Sequence, residues 1–388
     1  MSEQEDLKQR IITTIKEYDN QGIHRTGTQV DTQSAQWLAS EIKKIGLEPY
    51  LDEFSLNRIN IEEASVEVET QKIQGVPLFD CTYPKEEIIV GNLGNINEKN
   101  VIGITRVDNV KPQNLEKQRK NNPNVGTIVA TQGLTPGLSL INAENFIKPF
   151  GPPTLQISSE YWPFLSSKIG TEVTLRIKVN RNPTKAYNVI TRLKGRDSRL
   201  APLVIMTPRS GWWNCASERA GGIAILLEMM RVFYNAKPTR DVLFLANSGH
   251  ELGHLGLDHY LEKNSSMIKE ASSWIHLGAN IAASAQNSRN NSVKPKILTQ
   301  SSDAKIETLG LDSLAKYAII PNLNISQGNR PLGEAKNIFD GGGQYFSIIG
   351  MANPLFHHPD DRWPGAIDVN NTVRITKALI LLASQLVH

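Results

Sequence analysis

Two apolar runs, Leu203-Val204-Ile205-Met206 and Val242-Leu243-Phe244-Leu245-Ala246, read as buried strands. Between them Ile223-Ala224-Ile225-Leu226-Leu227-Glu228-Met229-Met230 has the apolar spacing of a helix. Each strand ends in a polar loop, the first running from Thr207 to Gly222 and the second from Asn247 to Gly256. Strand, loop, helix, strand, loop is the grammar of an α/β domain with a mostly parallel central sheet flanked by helices. In such sheets ligands bind beyond the carboxyl ends of the strands. The chemistry is therefore expected in these two loops.

The rest of the chain extends the pattern in two ways. Residues 5–20 place Leu7, Ile11, Ile12 and Ile15 on one helical face. Asp31 reads as the N-cap of a second helix carrying Ala35, Trp37, Leu38, Ile42 and Ile45, which stops at Gly46, and residues 48–56 read as a strand. After about Asn57 the texture changes. Short β-like pieces at 64–68, 87–90, 101–104, 126–130, 154–157 and 172–179 are separated by loops rich in Asn, Lys and Pro. The α/β pattern resumes at Ala186-Tyr187-Asn188-Val189-Ile190. The expected organisation is thus an α/β domain from 1–58 and 184–388, interrupted by an inserted β-rich domain at 59–183. Further on, residues 274–280 read as another strand and loop, Asp340-Gly341-Gly342-Gly343 as a flexible loop, residues 356–363 as a polar loop, and 373–386 as a core helix.

Composition changes this picture little. The 388 residues hold 39% hydrophobic and 21% charged side chains, an ordinary globular balance. A formal net charge of +3 is too small to argue for nucleic acid or an anionic membrane. Two cysteines, Cys81 and Cys215, give neither a disulfide framework nor a cysteine metal cluster. The opening, Met1-Ser2-Glu3-Gln4-Glu5-Asp6, is acidic and lacks an apolar signal region, and no apolar run approaches a membrane span of roughly 18 residues. The expectation is a cytoplasmic protein acting on a small-molecule or peptide substrate, with its oligomeric state left open.

The ordered motifs resemble the di-zinc aminopeptidases, the family 28 metallopeptidases. Arg25-Thr26-Gly27-Thr28 and Gly46-Leu47-Glu48 are similar to that family's opening. Gly222-Ile223-Ala224-Ile225-Leu226-Leu227-Glu228 is similar to its Gly-hydrophobic-Ala-Xaa-Leu-Leu-Glu helix. His250-Glu251-Leu252-Gly253-His254-Leu255-Gly256 stands where the family has Glu-Glu-Leu-Gly-Leu-Leu-Gly, and Phe356-His357-His358-Pro359-Asp360-Asp361 where it closes with Tyr-His-Thr-Xaa-Asp-Asp. The β-rich insert lies where many members carry a protease-associated domain. The resemblance covers nearly the whole chain and implies a hydrolase of peptide or amide bonds.

The zinc-binding set that the resemblance implies is incomplete. The family's His-Xaa-Asp falls on Thr207-Pro208-Arg209, its bridging Asp on Glu218, and its Glu pair on His250-Glu251, so that Glu251 keeps the ligand position and His250 takes the general-base position. The later Asp falls near Gly278, with His276 two residues away, and the final His is His357. Glu218, Glu251 and His357, with His276 or His250 as a fourth, would hold one zinc at most. The rival reading has Arg209 and Arg219 replacing the lost metal's charge and bridging Glu218 and Glu251, and the two readings stay open.

Several side chains carry a second meaning. His250 suits a proton shuttle near neutral pH, and Arg209 and Arg219 suit a substrate carboxylate. Trp212 and Trp213 either line a substrate pocket or pack the loop. His250-Glu251-Leu252-Gly253-His254 also reads literally as His-Glu-Xaa-Xaa-His, in which two histidines on one helix face would bind zinc with Glu251 as base. His358 and Asp360 could orient His357. Cys215 has no base beside it in sequence. The rival function from another class is a non-catalytic protein that binds a ligand or partner through the old cleft or the insert.

Overall fold

The computed structural model describes residues 3–83, 87–285, 294–325 and 327–388; Met1 and Ser2 of the acidic opening lie outside them. Leu203–Pro208 and Val242–Asn247 lie side by side and parallel at the centre of a sheet. Ser273–Leu277 and Tyr345–Met351 continue it in parallel, and Lys296–Ser301 and Leu323–Ile325 complete that edge, where Lys296–Ser301 runs antiparallel to Tyr345–Met351. The sheet is buried on both sides, which explains why its strands read as unbroken apolar runs. Leu203, Ile205, Phe244 and Ala246 face one core, built with the helices Glu3–Asn20, Gln29–Ile45, Gly221–Ala236 and Val369–Leu386. Val204, Met206, Leu243 and Leu245 face the other, with Leu257, Tyr260 and Ile338. This is the expected mostly parallel, helix-flanked α/β sheet.

The Gln29–Ile45 helix starts and stops for local reasons, with one correction. Its N-cap is Thr28, whose hydroxyl accepts from the Asp31 backbone N–H at 3.2 Å, rather than Asp31 itself. The Asp31 carboxylate turns outward from the helix start to accept from the Gly27 N–H and the Ser248 hydroxyl. Gly46 ends the helix at φ 98°, a left-handed conformation glycine adopts without a Cβ penalty.

Two long strands dominate the other half. Pro49–Val68 and Glu172–Leu193 pair antiparallel from Pro49 opposite Thr191 to Val68 opposite Val173, with one slip between Ile61 and Glu63. The expected boundaries at 58/59 and 183/184 both fall inside this ribbon, where Asn57 faces Pro183. One end of Glu172–Leu193 pairs with Val242–Asn247, and the other with Ile88–Asn95. Between those ends it has only Pro49–Val68 as a strand partner among the described residues, so proline at 183 removes no ladder bond to a third described strand. Beyond the ribbon, Ile88–Asn95, Ile102–Asp108, Gly126–Gln132 and Thr154–Ser158 run parallel, and the helix Gln113–Lys120 lies in one crossover. Val66, Ile104, Ile128, Leu155 and Leu175 form their own core. A separate cluster takes Phe79, Leu140 and Phe146 from this β-rich region and packs them on Phe54, Ala186, Trp212 and Leu252.

The Gly341–Gly343 run, expected to be a flexible loop, is a packed turn after the Ala335–Asp340 helix. A Cβ at Gly343 would lie 2.6 Å from the Ile268 carbonyl oxygen, so the close approach requires glycine.

Candidate functional site

Four parallel strands deliver their following loops to one edge of the sheet. The loop after Leu203–Pro208 carries Arg209 to Ala220 and ends in one π-helical turn, Ala216–Ala220, entered through Cys215 at φ 56°. The Asp361 carboxylate caps this turn by accepting from the Ser217 and Glu218 N–H groups at 2.8 and 3.0 Å. Burial pushes the Asp361 carboxyl up to about 7 against those two bonds. Asp361 thus orients the turn, while Asp360 points to solvent and His358 Nε2 lies 3.1 Å from the Pro136 carbonyl; neither orients His357 as expected. Cys215 is buried, and burial raises its thiol well above the usual range, in keeping with a loop residue rather than a nucleophile.

The turn aims Glu218 inward. Its Oε1 lies 2.7 Å from Arg219 and 3.2 Å from His357 Nε2, and both Glu218 and Arg219 are shut off from solvent. Burial opposes ionisation of Glu218, but the Arg219 guanidinium and His357 outweigh it and hold the carboxyl down at about 2. Nδ1 of His357 donates to the Leu140 carbonyl at 2.7 Å, so a backbone oxygen of the β-rich region fixes this ring.

Arg209 and Glu251 go elsewhere. Arg209 forms a fully buried ion pair with Asp31 at 2.9 Å and donates to the Asp31 and Tyr187 carbonyls. It therefore bridges neither Glu218 nor Glu251, and it is not placed to meet a substrate carboxylate. Glu251 accepts from the Thr26 N–H and the Ser210 hydroxyl, both at 2.7 Å. Burial is the larger influence on its carboxyl and raises it, against the bonds from Thr26 and Ser210. Both oxygens are thus hydrogen-bonded, and Glu251 ties the Thr26 and Ser210 segments together.

Trp212 is buried edge-on against Phe79 and donates to Asn142, and Trp213 donates to the His357 carbonyl. Both tie the loop to its neighbours, and neither lines the cavity described next. That cavity, about 530 Å³, lies between the sheet edge and the β-rich region. His250, His254, His276 and His357 line it, with Asn142 and Glu144 from across the gap. His250 Nδ1 meets Glu334 at 3.2 Å, and Glu334 also accepts from Asn247 at 2.6 Å. Burial drives His250 well below its ordinary value, with Arg219 adding to the effect. His276 Nδ1 meets the Ser347 hydroxyl at 2.8 Å, and its Nε2 stands 4.0 Å from Glu334; burial lowers this ring to about 4. Glu334 is a residue of this site that the sequence did not reveal, because its loop carries no motif and its partners Asn247, His250 and His276 lie far away in sequence.

The His-Glu-Xaa-Xaa-His reading fails on geometry. Residues His250–Leu252 form a single 3₁₀ turn, Gly253 and His254 have φ of 81° and 70°, and the helix starts only at Leu255. The two histidines therefore do not project from one helix face.

Zinc requires three or more His, Cys or carboxylate donors at about 2.0–2.3 Å. Among the described residues no three such side chains converge to hold a metal ion. A guanidinium neutralises Glu218, Glu251 is bonded by Thr26 and Ser210, and His276 sits with Ser347 and Glu334, so among the described residues the expected set is not assembled and the residues present do not fit the zinc centre.

Comparison with known proteins agrees with this architecture. Residues 188–321 match the model of peptidase family M28. Human transferrin receptor protein 2 is 31% identical over 126 residues, which is 31% of this chain and 15% of the receptor; the rat protein is 30% identical over 128 residues, again 15% of its length. The chain thus spans a small part of the curated relatives it matches. Among solved structures, a zinc aminopeptidase from Bacillus subtilis superposes with a TM-score of 0.78 at 17% identity, covering 97% of this chain and 94% of that one. A peptidase M28 precursor from Shewanella amazonensis gives 0.76 at 14% identity, covering 99% and 96%. Residues 188–321 thus match the model of peptidase family M28, and the whole chain has the fold of the zinc aminopeptidase it superposes on.

Proposed function

We propose that this chain binds a peptide-like ligand in the cavity at its sheet edge, and that it does so without a zinc centre. The observation that carries this reading is Arg219. Its guanidinium, buried and always charged, lies 2.7 Å from Glu218 and supplies the positive charge a cation would otherwise supply there. That the two curated relatives reported above are named receptors supports a binding role on a peptidase-related sequence.

A second reading, metal-free amide hydrolysis, is favoured by the His250–Glu334 pair. A carboxylate behind an imidazole whose other nitrogen faces a cavity is the arrangement of a general base. One experiment separates the two. Calorimetry and hydrolysis assays are run with short peptides bearing an apolar N-terminal residue, with a chelator present throughout. The binding reading predicts saturable heat with no cleavage. Cleavage that His250→Ala slows by about 10²–10⁴ would favour the hydrolase instead. Binding that appears only after zinc is restored would contradict both.

A further inference from the structure

The turn Arg25-Thr26-Gly27-Thr28, just ahead of the Gln29–Ile45 helix, holds two guanidiniums that the cleft reading leaves without a role. Arg25 lies over the Phe79 ring, 5.4 Å from its centroid. Its Nε is buried with no hydrogen-bond partner, and its guanidinium makes no ion pair among the described residues. Arg58, from the Pro49–Val68 strand, reaches the same turn. Its Nη1 donates to the Gly27 carbonyl at 2.8 Å, and its Nε too is buried without a partner. Gly27, at φ 72°, makes room for this approach: a Cβ there would stand 2.9 Å from the Thr184 methyl and 3.6 Å from Arg58 Cδ. Arg58 likewise forms no ion pair among the described residues. Both side chains are only half-buried, so a ligand can reach their outer ends. Neither lines the cavity at the sheet edge.

The surroundings say what kind of ligand. Burial works against the Arg25 charge, Glu251 favours it and Arg58 opposes it. The Glu251 oxygens are hydrogen-bonded to Thr26 and Ser210 rather than to Arg25. The turn's own amides are engaged as well: Thr26 N–H donates to Glu251, Gly27 N–H to Asp31, and Thr28 N–H to the Arg25 carbonyl. Anything bound here is therefore held by the two guanidiniums, and two like charges beside one turn draw in an anion. One guanidinium fork fills the two oxygens of a carboxylate. A phosphate group has at least three oxygens and close to two negative charges near neutral pH, enough to engage two guanidiniums. We propose that Arg25 and Arg58 form a phosphate-binding site, separate from the cleft and independent of what the cleft holds. Its ligand is a phosphate dianion, either free or at the end of a monoester.

The test is calorimetry on the full chain, with inorganic phosphate, glycerol phosphate and acetate as probes and sodium chloride holding the ionic strength fixed. The proposal expects one saturable phosphate site per chain, with acetate weaker by roughly tenfold or more. Arg25→Gln and Arg58→Gln should each weaken phosphate by about tenfold to a hundredfold. Arg374→Gln, which removes an exposed arginine elsewhere, should leave it unchanged. If a glutamine variant melts early, Arg25→Lys and Arg58→Lys serve instead: each keeps the charge but loses the fork, and should erase most of the preference for phosphate over acetate. Glycerol phosphate binding as tightly as inorganic phosphate assigns the site to a monoester, and binding of inorganic phosphate alone assigns it to the free ion. The proposal is overturned if phosphate gives no saturable heat, if acetate binds as tightly, or if the Arg25 and Arg58 variants bind phosphate as the wild type does.

Discussion

Arg219 and Glu218 stand or fall together. With both side chains closed to solvent, removing one partner leaves an uncompensated buried charge, which typically costs about 3–5 kcal/mol. Arg219→Met is therefore expected to destabilise by that order, and adding Glu218→Gln to recover most of the loss. Urea unfolding of the two single variants and the double variant measures the coupling; simple additivity would contradict the pairing. The pH dependence has a definite sign. Glu218 is held below its ordinary 4.5, at about 2, so its share of stability is complete above 4.5 and drains away as pH falls toward 2. Curves for wild type and Glu218→Gln should converge across that window. At this scale the sequence put Glu218, Arg219, His250 and His357 in loops, and the structure brings them to one sheet edge. It placed Arg209 wrongly, because Asp31 reads as a helix cap and nothing local shows that its carboxylate faces another element. Glu334 and Asn337 were invisible for the same reason: each meets a histidine some eighty residues earlier.

At the scale of elements, the apolar runs predicted the central strands because a sheet covered on both faces leaves no polar alternation to misread. The joint between the two halves was harder. Asn57-Arg58-Ile59-Asn60 looks like a loop, yet each residue has a cross-strand partner, and the pattern of burial continues through Ile59. Polar residues are tolerated there because the ribbon has solvent beside it rather than a third strand. Hydrogen exchange should accordingly show protection continuing through 57–60 and 180–184, apart from Pro183, which has no amide. Fast exchange confined to those residues, with protected flanks, would instead indicate a linker between two units.

At the scale of the molecule, the cavity belongs to both halves. The sheet edge supplies the four histidines, and the β-rich region supplies Asn142 and Glu144. The two are fastened at the site itself: the Leu140 carbonyl accepts from His357, the Ala143 N–H donates to the Glu251 carbonyl, and Lys336 pairs with Glu144 at 2.9 Å. No helix among the described residues is long and apolar enough to cross a membrane. The fold was legible because apolar strands and helices in order mark the sheet, while the chemistry was not, since the site residues meet only through tertiary contacts. The account turns on Arg219 filling the role of a cation. Its most direct test is the zinc content of the full chain, purified without chelator, equilibrated with excess zinc and desalted. The account predicts no retained zinc. One or more zinc ions retained per chain, and lost on changing Glu218→Gln or His357→Ala, would contradict it.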